Sequence, residues 1–354
     1  MNPQYLKSKA FLYDVWYVAG WATDLAPGAR LGRTFLNEPV VLFRTAAGVI
    51  GALEDRCIHR AMPLSRGEVA GETIRCAYHG LEYGSDGICR RIPAQEQIPK
   101  TARVRAYPII ERDALLWIWM GDPDQAKISE IPHHPYHLDS AWAWRSAHYP
   151  VKGNWQLIID NLMDLSHLPY IHPHTIGGNP DLHFKTKTHT AKTEKGVHVY
   201  RHMPASQPPP TYLAAKSFAG LIDRWQEIDF EPVMLRIHTG GCDVNTGAYE
   251  GRREHGFSMM GFHGITPETE RTTHYFWSMA TNALEGDTPD VVFEQTARTF
   301  KEDQEVLEQQ QTRIETAPDR PTIDIASDVG GRQARQLITR LMRAERDSLM
   351  PADG

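Results

Sequence analysis

The sequence predicts an α+β protein in two parts. A small antiparallel β domain over residues 1–125 precedes a larger domain over 126–354, in which helices flank an antiparallel sheet. Two patterns carry that expectation. The first 120 residues hold short β-branched, aromatic and aliphatic runs at 16–19, 40–43, 49–53 and 115–120, each bounded by Gly, Pro or Asp. Further along, the period changes. Helical stripes at 154–168, 291–315 and 331–347 enclose a strand-rich stretch from about 183 to 281, with runs at 197–200, 234–239, 257–262 and 273–281. With 354 residues, 41% hydrophobic and 23% charged, the chain is long enough for two ordinary cores and has a globular composition.

In the first part, Cys57-Ile58-His59 and Cys76-Ala77-Tyr78-His79 form two arms, each offering one thiolate and one imidazole. Structural zinc favours like ligands two to four residues apart, which Cys-x-His does not match. A Rieske [2Fe–2S] centre takes two Cys on one iron and two His on the other, which two matching arms supply. A zinc ion and a Cys57–Cys76 disulfide are the alternatives. Gly80 lets the backbone pass close to the second arm, and Pro63 and Gly67 mark a turn after the first. Cys89 and Cys242 read as ordinary semi-buried thiols.

Asp122-Pro123-Asp124 ends this part, and residues 128–137, with His133, His134 and His137, read as a linker. Trp155, Ile158, Ile159, Leu162 and Leu165 recur at helical spacing, with Asp160, Asp164 and His167 on another face and Asn161 beside them. Pro169 stops that helix, and the chain returns with His172. The Pro-rich stretch 204–210 reads as a loop, since Pro cannot sit inside a sheet. In the first closing helix Phe293, Ala297, Phe300, Leu307 and Ile314 form an apolar stripe, and Asp303 falls on it; Glu302 and Glu305 point elsewhere, towards solvent. A buried carboxylate needs a partner, either a cation in the core or a metal. Two His and one carboxylate on one face is the ligand set of a mononuclear non-haem Fe(II) site, so His167, His172 and Asp303 are the candidate ligands.

Together these motifs resemble the Rieske non-haem iron oxygenases. The runs 160–167 (DNLMDLSH), 265–270 (ITPETE) and 302–311 (EDQEVLEQQQ) are similar to the oxygenase components of vanillate and dicamba O-demethylases, and the likeness covers nearly the whole chain. The resemblance implies a helix-grip-like catalytic domain, a Rieske cluster on Cys57, His59, Cys76 and His79, and Fe(II) on His167, His172 and Asp303. It also implies that Asp164 and Asn161 serve catalysis. Electrons come from NAD(P)H through a ferredoxin/flavin reductase and reach the iron singly. There O2 is activated beside a small aromatic acid such as a methoxybenzoate, which loses its methyl group or is hydroxylated. The chain is then a terminal oxygenase, and the assembly is a homotrimer in which Asp164 links the iron's His to a Rieske His of the neighbouring subunit. Ring dihydroxylation, or a non-catalytic Rieske electron carrier with a ligand-binding domain, are the competing functions.

Two residues are candidate substrate anchors. His263 stands three residues before Thr266-Pro267-Glu268, where members similar to dicamba demethylase place a substrate-binding His. Arg236 and His238 alternate with Leu235 and Ile237 on an expected strand, so Arg236 could clamp a carboxylate if that face lines the pocket. A formal charge of −6 gives no support for nucleic-acid binding. The amino end lacks a signal-peptide core, no run approaches the roughly 18 apolar residues of a membrane span, and four Cys are too few for a disulfide-stapled secreted protein. A cytoplasmic enzyme is the expectation.

Overall fold

The computed structural model describes residues 10–177, 181 and 185–349. Residues 183 and 184, where the strand-rich stretch was expected to open, lie outside the described residues. The chain divides into two compact units: residues through His133 with Thr266–Glu270, and the remainder.

Apart from single 3-10 turns, the regular elements of the first unit are short strands: β1 (Trp16–Trp21), β2 (Arg30–Phe35), β3 (Glu38–Arg44), β4 (Ile50–Glu54), β5 (Glu68–Ala70), β6 (Thr73–Arg75), β7 (Glu82–Tyr83), β8 (Cys89–Arg91), β9 (Ile109–Arg112) and β10 (Leu115–Trp119). They make three antiparallel sheets, ordered β1-β10-β9, β2-β3-β4 and β5-β6-β7-β8. The apolar runs of the sequence become β1, β3, β4 and β10, with β1 and β10 buried throughout. Strands of two or three residues, such as β7, are too short to show a period. Two hairpins turn without glycine: Leu36 and Asn37 between β2 and β3, and Asp113 and Ala114 between β9 and β10, all have positive φ. That is the backbone a tight twisted hairpin demands, here imposed on ordinary side chains by the flanking pairing.

The second unit is built on a seven-stranded antiparallel sheet. Its elements in chain order are β11 (Ala143–Val151), α1 (Trp155–Met163), α2 (Leu168–Ile171), β12 (His189–Lys192), β13 (Val197–Ser206), α3 (Pro210–Ala215), β14 (Ile222–Glu231), β15 (Met234–Asp243), β16 (Phe257–Pro267), β17 (Thr273–Thr281), α4 (Thr288–Thr316) and α5 (Val329–Leu349). The strand order is β11-β17-β16-β15-β14-β13-β12. The long helix α4 packs on β11, β17, α1 and α3, and α5 packs on α1, β12 and β13. β16 and β17 are buried along their whole length, as central strands covered on both faces should be.

Helix α1 starts as expected, with the Asn154 side chain accepting the Gln156 N–H, and it buries Trp155, Ile158, Ile159 and Leu162. It ends earlier than its stripe suggests, at Met163, because Pro169 does not stop it. Pro169 sits in the first turn of α2, where its missing N–H costs nothing. Asp160, Asp164 and His167 therefore do not share one helical face, and Asp160 turns to Arg335 at 3.0 Å. Pro204 likewise does sit in a strand. It lies where the β13 register shifts between Met203 and Ser206, and Pro210 opens α3.

Candidate metal centres and cavity

The two Cys/His arms are one loop made twice. In each, the Cys carbonyl accepts the N–H four residues on (Ala61 at 2.9 Å, Gly80 at 3.1 Å), and the Cys N–H donates to the carbonyl five residues on (Met62 at 2.9 Å, Leu81 at 2.8 Å). Ala61 and Gly80, the matching positions, both have positive φ, 58° and 70°. This turn drives the sulfurs inward: Cys57 and Cys76 are buried with Leu64, Ile74, Leu81 and Tyr83. His59 and His79 stay exposed, their ring centroids 4.4 Å apart. Tyr83 Oη shares a hydrogen bond with Cys57 Sγ at 3.2 Å. Burial, and then the neighbouring Cys57, raise the Cys76 thiol above its ordinary range.

Both cysteines are free thiols, as are Cys89 and Cys242, which are fully rather than partly buried. A single tetrahedral ion holds N and S ligands at about 2.0–2.3 Å and draws their atoms tightly together. The arms do not do this. Among the described residues, only His167, His172 and Asp303 bring three such atoms within 4.8 Å of one another. Two buried thiols below two exposed imidazoles suit a wider, two-iron cluster with an S-ligated and an N-ligated side.

In that second group, Nε2 of His172 lies 3.0 Å and Nε2 of His167 3.5 Å from Asp303 Oδ1. Asp303 is buried on α4 with Thr299, Phe300 and Leu307, and Asn161 Nδ2 donates to its Oδ1 at 3.0 Å. Of the apolar stripe read from the sequence, Phe293 is half-buried and Ile314 exposed. His172 is fully buried, and its Nδ1 meets Glu302 Oε2 at 2.8 Å. Glu302 is therefore no solvated-face acid: it stands behind one imidazole, as an acceptor fixing a metal-binding His does. On His167 that place is only approached. Asp164 Oδ2 is 3.7 Å from its Nδ1, beyond hydrogen-bond reach, because both Asp164 oxygens accept from Ser166 at 2.8 Å. Burial would raise the Asp164 carboxyl, but the nearby His167 and the Ser166 bonds hold it below the usual range.

His167 and Asp303 form part of the wall of a cavity of about 70 Å³, lined largely by apolar side chains from α1, β15, β16 and α4. His263 also lines it. The ring is fully buried, its Nδ1 shares a 2.7 Å hydrogen bond with Tyr275 Oη, and its Nε2 has no partner. Burial pulls its pKa down to about 3 against the opposing charge of Asp303, so the ring is neutral. A methyl group at Gly261 would come within 2.9 Å of that Nε2, so glycine leaves room for the ring. Arg236 is elsewhere. Ile237 and Thr239 are the β15 side chains that line the cavity, so the alternate Arg236 and His238 face away. Arg236 pairs with Glu231 at 2.6 Å, which removes it as a carboxylate clamp.

Residues 15–108 match the model of the Rieske [2Fe-2S] domain, and residues 151–344 match that of the vanillate O-demethylase oxygenase C-terminal domain. The chain belongs to the vanillate O-demethylase oxygenase family. Its relatives include the toluene-4-sulfonate monooxygenase system iron-sulfur subunit of Comamonas testosteroni, 36% identical over 96% of this chain and 100% of that protein. The vanillate O-demethylase oxygenase subunit of a Pseudomonas strain is 32% identical over 96% and 97%. Dicamba monooxygenase, in a crystal structure with dicamba bound, superposes with a TM-score of 0.87 at 30% identity, covering 95% of this chain and 99% of that one.

As a member of this oxygenase family the protein is an enzyme of the Rieske monooxygenase and O-demethylase type, with a Rieske [2Fe–2S] domain and an α+β catalytic domain. That excludes zinc on the arms. No helix among the described residues is long and apolar enough to cross a membrane. In the stretch read as a linker, His134 and His137 are buried, and His137 Nε2 meets Ser278 Oγ at 2.7 Å. Sequence reasoning missed Glu302, and it missed Arg224, Gln226 and Thr239 on the cavity wall. The signal for Arg224 and Gln226 was present: Ile222, Arg224, Gln226, Ile228 and Phe230 alternate on β14, so two polar residues share an apolar face.

Proposed function

We propose that this chain is the terminal oxygenase component of a multicomponent monooxygenase that removes an O-methyl group from, or hydroxylates a methyl group on, a small aromatic acid. The carrying observation is the cavity: apolar along most of its wall, bordered by His167 and Asp303, and provided with a few polar groups. The relatives' names fit that polarity, since toluene-4-sulfonate, vanillate and dicamba are each a single ring bearing an acid group and a methyl or methoxy carbon. In this reading residues 1–125 carry the cluster on Cys57, His59, Cys76 and His79, and residues 126–354 hold iron on His167, His172 and Asp303.

When bound, the cluster delivers single electrons taken from NAD(P)H through a ferredoxin/flavin reductase, and the iron supplies O2 activation. The protein's own residues do the rest. Asn161 holds Asp303 Oδ1, and Glu302 fixes the His172 ring, so two ligands are oriented in advance. The apolar wall excludes water from the reacting carbon, and His263 offers its unpartnered Nε2 to a polar substituent. His79 is exposed on its loop tip and Asp164 is partly exposed, which supports electron entry at Asp164 from the Rieske His of a neighbouring chain in a homotrimer. The test is oxygen uptake by the reconstituted chain with a reductase, screened over methoxybenzoates, toluates and toluenesulfonates. Formaldehyde equal to oxygen consumed supports demethylation, a benzyl alcohol supports methyl hydroxylation, and a cis-diol or no coupled uptake overturns the reading.

A further inference from the structure

Arg224 projects from β14 into the cavity wall with only 2% of its surface exposed. Its Nη2 donates to the Ile176 carbonyl at 3.0 Å and its guanidinium lies 5.2 Å from the Tyr212 ring centroid, yet its buried Nε has no partner. Among the described residues no carboxylate forms an ion pair with it. A second guanidinium adds to the same charge. Arg201 on β13 is 1% exposed and is held by Gln226 Oε1 at 3.1 Å from Nε and 2.6 Å from Nη2. Burial and the charge of Arg224, only partly offset by Asp164, bring the Arg201 pKa down to about 9. A buried guanidinium without an ion-paired carboxylate, as Arg224 is among the described residues, is costly, and Arg224 borders the cavity.

The strand register sets Arg224 apart from the metal ligands. Arg224 stands opposite Gly241, which stands opposite Phe257, whereas His263, which feels the charge of Asp303, stands opposite Leu235. Six residues of β16 separate the two rows, so Arg224 and His263 stand at different points along the same cavity wall. We propose that Arg224 is the charge anchor of the cavity, receiving the carboxylate or sulfonate of the aromatic substrate so that the opposite edge of the ring faces His167 and Asp303. It is a specificity-determining residue, and the inference rests on the reading of the cavity as a pocket for an aromatic acid.

Equilibrium binding to the protein with both metal centres loaded tests it, using toluene-4-sulfonate, 4-methylbenzoate and the neutral 4-methylbenzamide, for the parent chain, Arg224→Gln and Arg224→Lys. The parent's tighter anion identifies the head group. Arg224→Gln is expected to weaken that anion about 100-fold, the usual cost of removing one partner of a buried charge pair, and to leave the amide little changed. Arg224→Lys keeps the charge but not the fork, and is expected to recover part of the loss. It also serves where the Gln variant does not fold: a loss confined to the anion supports the anchor. Equal weakening of anion and amide makes Arg224 a structural strut and overturns the proposal, as does unchanged anion binding. A parent chain that binds neither anion overturns the aromatic-acid reading itself, a distinct result.

Discussion

The two cysteine–histidine loops and the His167/His172/Asp303 group solve the same problem in opposite ways. Each loop is finished within six residues by its own backbone hydrogen bonds, and its ligands follow from where that turn points them. The second group is assembled from a helix end, a turn and a long helix, and two of its three members are held by a neighbour from elsewhere: Asp303 by Asn161 and His172 by Glu302. A self-closed loop tolerates change around it. An assembled site transmits every change in its supports.

The sharpest break of that comparison is Asp303→Ala. Turnover is expected to fall below detection and iron content to drop by the mononuclear ion, with the red-brown colour and the reduced-cluster electron-spin signal intact. Full iron and activity in the variant would show that the third ligand lies elsewhere. The reciprocal change is His79→Cys, which should replace the Rieske signal by an all-thiolate type of lower potential, or abolish it, without touching the mononuclear iron. An unchanged signal refutes the assignment of that arm.

Two smaller effects sharpen the comparison. Asp164→Asn should keep both metals bound and the cluster reducible, while slowing electron delivery in single turnovers on the order of 100-fold. Sedimentation fixes the subunit number, and a fully active monomer refutes the cross-subunit path. Glu302→Ala removes the acceptor behind His172, and iron affinity should weaken about 10–100-fold, read by titration against a chelator. A loss as complete as that of Asp303→Ala would make Glu302 a ligand rather than a support.

How far each region could be read in the sequence follows the same division. Cys57-x-His59 and Cys76-x-x-His79 state their chemistry in consecutive residues, so the cluster was legible outright. Asp303 was legible as a buried acid because an acid on an apolar helical stripe is out of place, and a helix fixes which neighbours share a face. The cavity wall was harder. Alternation on a strand separates two faces but does not say which is inward, so Arg236 could be named only on the condition that its face lines the pocket, which it does not, while Arg224 and Gln226, truly inward, were passed over. The end of α1 was misread for a local reason: Pro169 is as acceptable in the first turn of a new helix as after the last turn of an old one.

The twin loops have a consequence for the order in which the protein matures. The entropy of closing a loop grows with its length, and each cysteine turn closes over four or five residues, with the two turns only 19 positions apart. His167 and Asp303 are 136 positions apart and meet only once the strands between them have paired. Every ligand of the cluster has left the ribosome long before Asp303 is made. That order predicts staged cofactor loading, with the electron carrier able to form on the nascent chain and the oxygen-activating metal expected to enter last.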